Sequence, residues 1–209
     1  MKTFMNITCI GHSGFLVCLP NYNLIFDYYT DKAGIITPAI FTQKKTCVFV
    51  SHSHYDHYNQ EIYEWSTYGD VLYILDAGCS APNNDNIIKI PEGESVSLYE
   101  NTVEIRAYGS TDEGVSYLVN ADGTILFHAG DLNDWYWEEE STPEKLRESE
   151  ENYLRIIKQL AGQHIDAAFI PQDPRLGVHA NRGIRHFKDI VNPNRIIPMH
   201  FPGNDGVKY

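Results

Sequence analysis

Four ligand-type side chains, His52, His54, Asp56 and His57, crowd one short stretch of sequence, Ser51-His52-Ser53-His54-Tyr55-Asp56-His57. Imidazole nitrogens and carboxylate oxygens suit zinc, manganese or iron, and no cysteine joins the run to make a closed, thiolate-rich structural zinc site. The pattern points to an open, catalytic centre. In an extended segment residues two apart share a face, so His52 and His54 can approach one ion from the same side. Asp56 and His57 are adjacent and share that face only if the chain turns, which suits them to a second ion nearby. The expectation is one or two divalent ions, zinc ahead of manganese or iron. Such an ion lowers the pKa of water and polarises a carbonyl or phosphoryl oxygen, so hydrolysis needs no serine or cysteine nucleophile.

Side chains of this kind need a rigid support. The apolar run Cys47-Val48-Phe49-Val50 reads as a buried strand, which puts the cluster on a loop at a strand's end. Before it, residues 4–10, 15–19 and 24–28 are short β-branched or aromatic runs separated by Gly11-His12-Ser13-Gly14 and Pro20-Asn21, the pattern of an antiparallel meander. After it, 60–68 spells a short helix carrying Ile62, Tyr63 and Trp65, and 71–75 another strand. Strands return between Ser95 and Asp131. Those over 115–119 and 124–127 are joined through an Asp122-Gly123 hairpin signal, and the second runs to a Gly130-Asp131 corner. Thr142 and Pro143 supply an N-cap and first helical position for a helix with Leu146, Tyr153, Leu154, Ile157 and Leu160 on one face, ending near Gly162. A strand over 167–170, a helix over 183–191 and a last strand over 195–199, ending at His200, complete a mixed α/β (α+β) chain. No repeat or linker-like segment divides it, so residues 1–209 read as one domain.

At 209 residues and 43% hydrophobic content the chain can bury a substantial core. A formal charge of −12 argues against a sequence-independent grip on DNA or RNA, which requires clustered Lys and Arg, and favours a small-molecule substrate. Cys9, Cys18, Cys47 and Cys79 show no Cys-x-x-Cys spacing, and three sit in apolar runs where a thiol behaves as a small hydrophobe, as in a reducing compartment. No cleavable leader pattern and no apolar run of bilayer length is present, so the expectation is a cytoplasmic protein without membrane contact, with room for a homo-oligomer.

The His52/His54/Asp56/His57 pattern closely resembles the metal-binding signature of the metallo-β-lactamase superfamily. Other positions fall in that superfamily's order: Asp27 after the strand 24–26 matches its early acidic position, Gly130-Asp131 the carboxylate that bridges two metals, and His200 the final histidine. The Gly11-His12-Ser13-Gly14 turn is similar to that of the lactonase-like branch, which includes ascorbate-phosphate lactonases. The resemblance implies a four-layer αββα sandwich. It also implies that His52, His54, His57, Asp131 and His200 hold metal, while Asp56 ligates the second ion and orients or deprotonates water. Asp56 and Asp131 are thus the expected catalytic carboxylates, and Asp27 an outer hydrogen-bond partner.

The family usually draws a third histidine for its first site from a loop between Asp56 and Asp131. Here the equivalent stretch is Gly109-Ser110-Thr111-Asp112-Glu113-Gly114, with Ser110 at the histidine's place, and a neutral hydroxyl is a poorer ligand. The His52/His54 site should therefore be the weaker, and His12 and His128 are candidates to complete it or to donate protons. His164, His179 and His186 read as surface residues. Residues 134–151 hold eight acidic and two basic side chains, whereas Arg175, Arg182, Arg185, Lys188 and Arg195 follow, a basic stretch suited to a phosphate or carboxylate. Trp135, Tyr136 and Trp137 are candidates to wall a pocket. The expected activity is hydrolysis of a small anionic ester, lactone or phosphoester. The alternatives are a nuclease or phosphodiesterase, and a catalytically silent metal-binding protein prompted by the absent histidine.

Overall fold

The computed structural model describes residues 5–209. The first sheet sets β1 (Asn6–Gly11), β2 (Gly14–Cys18), β3 (Tyr22–Phe26), β4 (Lys45–Val50), β5 (Val71–Asp76) and β6 (Ile87–Ile90) side by side in chain order. The second does the same with β7 (Ser95–Leu98), β8 (Val103–Gly109), β9 (Val115–Ala121), β10 (Thr124–His128), β11 (Ala167–Pro171) and β12 (Ile196–Met199). Each sheet begins as an antiparallel meander and ends in parallel strands, with the change at β3 in the first and at β10 in the second.

Alternation along the strands decides the layering. In β4, Cys47 and Phe49 face the second sheet, while Val48 and Val50 face outward to Phe41, Ile62 and Trp65. Phe41 belongs to the short helix α1 (Pro38–Gln43), and Ile62 and Trp65 to a 3₁₀ segment, Gln60–Thr67. Rings join the two inner faces: Phe15 meets Phe169 at 4.5 Å between centroids, and Phe26 lies flat against His128 at 4.9 Å. Beyond the second sheet lie α2 (Pro143–Ile157) and α3 (Arg182–Ile190), with Phe187 stacked on Phe127 at 5.2 Å. The order is helix, sheet, sheet, helix, the four-layer αββα arrangement.

Most predicted elements appear within a residue or two of their expected bounds. Phe4, the expected start of the first strand, lies outside the described residues. Asp122 and Gly123 both have positive φ, 54° and 72°, as a two-residue hairpin turn with the strands' own twist requires. Thr142 caps α2 by accepting from Lys145 N–H, and Tyr153, Ile156, Ile157 and Leu160 are fully buried beneath it. The helix expected over 60–68 is wound as 3₁₀, whose three residues per turn set Ile62 and Trp65 one above the other against the sheet. Helix α1 was not foreseen, since six residues with one buried side chain carry no period to read.

This topology also sets the position of the site. β1, β3 and β4 run in one direction, as do β8, β10, β11 and β12 in the other sheet, so their C-terminal ends share an edge. The turn after β1, Asp27 after β3, the histidine run after β4, the 110–114 loop after β8, Asp131 after β10 and His200 after β12 all emerge there. Ligand sites of open α/β sheets lie beyond the carboxyl ends of strands for the same reason.

Candidate metal centre

After His54 the chain turns, its carbonyl accepting from the N–H groups of His57 at 3.0 Å and Tyr58 at 3.1 Å. That turn sends Asp56 and His57 to one side and leaves His52 and His54 on the other. Ligand atoms gather into two sets, each within 4.8 Å of one another: His52, His54 and Asp131, and His12, Asp56, His57 and His200. Asp131 stands between them. Its Oδ2 is 3.4 Å from His52 Nε2, and its Oδ1 is 3.1 Å from His57 Nε2 and 3.3 Å from His200 Nε2.

The three buried histidines of the two sets, His52, His57 and His200, turn Nε2 toward Asp131 and Nδ1 away from it. Asp27 accepts from Ser51 N–H at 2.8 Å and from the Ser51 hydroxyl at 2.6 Å, and its Oδ2 is also 2.8 Å from His57 Nδ1. Because the single hydroxyl proton of Ser51 goes to Asp27, its oxygen accepts from His52 Nδ1 at 2.9 Å, leaving the lone pair of His52 on Nε2. His200 Nδ1 is 3.1 Å from Asp173 Oδ2. Carboxylates behind imidazoles in this way fix ring orientation and raise ligand basicity.

Burial makes the fit to a metal testable. Nε2 of His12, His52 and His57 and Oδ1 of Asp131 are buried without a hydrogen-bond partner. Unpaired buried polar atoms are costly, and a cation in each of the two sets would satisfy them. The donors are all nitrogen and oxygen, as zinc, manganese or iron accept.

The electrostatics follow from crowding. Burial alone would raise the Asp27 pKa, but the imidazoles of His128 and His57 bring it down to about 2. Burial likewise opposes a proton on His57, yet the Asp131 and Asp27 carboxylates raise its pKa to about 10. Against the same burial, Asp131 and Asp173 raise His200 to about 9. His12, partly buried and facing two other imidazoles, falls to about 4. Asp131 itself is held far below the usual carboxylate range despite burial, by the imidazoles of His200, His52 and His57 that crowd its two oxygens. His12, Asp27 and His200 also have positive φ, 53°, 41° and 69°. Left-handed backbone at non-glycine residues costs about 1–3 kcal/mol each and persists where the surroundings over-determine it.

Several expectations need correction. His12 joins Asp56, His57 and His200, with its Nε2 3.5 Å from Asp56 Oδ2, and does not complete the His52/His54 set. His128 lies outside both sets: its Nε2 is 2.9 Å from the Ser13 carbonyl, its Nδ1 accepts from Gly130 N–H, and burial lowers its pKa. Ser110 Oγ accepts from Asp112 N–H at 3.2 Å, and it is Glu113 of the same loop that reaches His54, Oε2 to Nε2, 3.5 Å. His179 and His186 are partly buried in ion pairs, with Glu138 and with Asp134 and Glu150. The Asp134, Glu150 and His186 group has metal-like spacing, but the Arg182 guanidinium already pairs with both carboxylates.

Beside Asp131 opens a cleft of about 420 Å³ lined by Thr111, Asp112, Trp135, Trp137, Lys145 and Arg175. Trp135 donates from Nε1 to the Asp131 carbonyl at 3.0 Å, and its ring stands edge-on to His200 at 5.6 Å and parallel to Trp137 at 6.0 Å. Arg175 is held by both oxygens of Asp173. Asp173 thus links the Arg175 guanidinium at the cleft to the His200 imidazole. It was not singled out in the sequence, although it follows a buried strand just as Asp27 and Asp131 do.

The family described as "Beta-lactamase superfamily domain" matches residues 6–143. Similar solved structures include a metallo hydrolase of the hyperthermophilic archaeon Ignicoccus hospitalis, 16% identical with a TM-score of 0.60 over 94% of this chain and 82% of that one. The metallo-beta-lactamase fold protein YhfI of Bacillus subtilis is 11% identical, TM-score 0.60, over 100% and 99%. CmlA, a diiron beta-hydroxylase of Streptomyces venezuelae, is 10% identical, TM-score 0.63, over 96% of this chain and 45% of that one. At these identities the likeness is one of fold. No curated protein sequence matches the chain.

Proposed function

The chain belongs to the metallo-β-lactamase superfamily, and on that premise we propose that it is a metal-dependent hydrolase of small anionic esters, lactones or phosphoesters. The observation that carries this reading is that Asp131 stands between two sets in which Nε2 of His12, His52 and His57 is left unpaired, with His52, His57 and His200 each backed at Nδ1. The two sets would hold two ions, zinc ahead of manganese or iron. The four-member set of His12, Asp56, His57 and His200 would bind the tighter one. A divalent ion bound there supplies a Lewis acid and brings the pKa of water toward neutrality.

The chain's own residues do the rest. Asp131 holds the two sets in register. Asp56, at the accessible rim beside His12, is placed to accept the proton that water gives up. Asp27 and Asp173 keep His57 and His200 oriented. Lys145 and Arg175 take up the substrate's anionic group, Arg175 preset by Asp173 so that little freedom is lost on binding. Trp135 and Trp137 form an apolar wall that excludes water from one side of the reacting group. The Gly11-His12-Ser13-Gly14 turn, which delivers His12 to the centre, supports the lactonase-like branch.

Turnover of a panel of lactones, thioesters and phosphodiesters, with metal added and after chelation, tests the reading. Metal-dependent hydrolysis of an anionic lactone or ester supports it, and preference for nucleic acid would replace it with a nuclease. Activity on none, with metal bound, would leave a silent metal-binding protein, the reading that the missing loop histidine favours.

A further inference from the structure

We propose that Glu113 is a protein ligand of the His52/His54 site, taking the place of the histidine that the 110–114 loop lacks. The proposal rests on the reading of the two sets as metal sites. Glu113 Oε2 stands 3.5 Å from Nε2 of His54, the most accessible member of the set formed by His52, His54 and Asp131, and outside the 4.8 Å spacing that unites those three. Both side chains are substantially exposed, 57% and 42%, and an ion pair so exposed adds little to stability. Fold stability therefore does not explain why the two meet.

The loop is pinned so that Glu113 has to emerge there. At its far end Thr111 donates to the Asn133 carbonyl at 2.6 Å and accepts from Asn133 N–H at 2.9 Å, which ties it to the corner that carries Asp131. At its near end Val115 N–H donates to the Ser51 carbonyl at 2.9 Å. Gly114 lies flush on the next residue: a Cβ there would stand 2.0 Å from the Ser51 oxygen and 2.5 Å from His52 Cβ. The residue just before Gly114 is thus delivered to the rim of the His52/His54 set by backbone contacts with both ligand-bearing corners.

A carboxylate in place of an imidazole changes the site's chemistry. Two imidazoles and two carboxylates, one of them the shared Asp131, carry one more negative charge than three imidazoles and Asp131, and they present harder donors. Harder oxygen donors favour manganese and ferrous iron relative to zinc. The weaker site should therefore be a distinct one with its own metal preference.

The experiment is titration of the metal-free chain with Zn²⁺ alone and with Mn²⁺ alone, by calorimetry and by elemental analysis after dialysis. The wild-type chain and the Glu113→Gln and Glu113→His variants are compared. Wild type should bind two ions. Glu113→Gln should lose about 10- to 100-fold in affinity for the weaker ion, at least the effect of removing a residue behind a ligand. It should bind the tighter ion unchanged, which also reports an intact fold. Glu113→His should restore the weaker site for Zn²⁺ but not for Mn²⁺. Wild-type affinity for both ions in Glu113→Gln, or an unaltered preference in Glu113→His, overturns the assignment. A wild-type chain that binds neither ion overturns the underlying metal reading and the assignment with it.

Discussion

Asp27 Oδ2 lies 2.8 Å from His57 Nδ1, and the same carboxylate accepts from the backbone and hydroxyl of Ser51, whose oxygen holds His52. One acidic residue thereby aims a histidine of each set. Asp27→Asn keeps the shape and removes the charge, and should cost about 10- to 100-fold in metal affinity at both sets. Asp27→Ala leaves buried partners unpaired and should also destabilise the metal-free chain by about 3–5 kcal/mol. Calorimetric titration and urea unfolding read the two effects, and an Asp27→Asn chain with unchanged affinity would separate Asp27 from the centre.

Asp131 faces His52 with one oxygen and His57 and His200 with the other. Asp131→Ala should therefore abolish tight binding at both sets together and, with it, metal-dependent turnover. Loss of one ion with retention of the other at wild-type affinity would show that the carboxylate serves a single site.

The metal-free centre should be stable in acid relative to alkali. His57 and His200 have folded-state pKa values raised to about 10 and about 9 from an ordinary 6.5, with Asp131 and its neighbouring carboxylates as the cause. A raised pKa stabilises the fold fully below the unfolded value, and that contribution fades as pH climbs through 9 and 10. Asp27, lowered to about 2, works in the other sense and fails only as pH falls from near 3.8 through 2. The melting temperature of the chelated chain should thus decline between pH 7 and pH 10, and a His57→Gln variant should show a shallower decline. Equal slopes in the two chains would remove His57 as a source of the effect.

The candidate side chains that follow an apolar strand had positions legible in the sequence, because strand and side chain are neighbours in the chain: Val50 leads to His52, and Phe127 to Asp131. The hairpin at Asp122 and the cap at Thr142 were legible for the same local reason. What could not be read was partnership across the edge. His12 belongs to a turn near the start of the chain, yet it meets Asp56 and His200 only because β1 and β12 end side by side. His128 resembles a ligand by type and spacing, but alternation along β10 sends it inward onto Phe26. Asp173 is visible only as an acidic residue beyond an apolar run, and its role depends on a contact with His200.

Trp135, Trp137, Lys145 and Arg175 line one wall of a cleft that reaches Asp131. If Arg175 binds the anionic part of the substrate without touching the reacting atoms, Arg175→Ala should raise KM by about 10- to 100-fold, the loss of one charged hydrogen bond, and leave kcat within a few-fold. Lys145→Ala should act in the same direction and lessen the salt dependence of KM. A fall in kcat at unchanged KM would instead put Arg175 in contact with the transition state.

Gly130 has φ +53°, and a Cβ there would lie 2.7 Å from Ser51 Cβ and 2.8 Å from Ser51 Oγ. The corner that presents Asp131 is thus pressed onto the residue that orients His52. Gly34 has a similar φ of +66° with open space around it, so Gly34→Ala measures the backbone cost alone, about 1–2 kcal/mol. Gly130→Ala adds the collision with Ser51. It should destabilise the chain by more than Gly34→Ala does, and it should also weaken metal binding, which Gly34→Ala leaves alone. Urea midpoints and metal titrations of the two variants decide it. Equal loss in both would mean that the contact between the Asp131 corner and Ser51 contributes nothing beyond the turn's own strain.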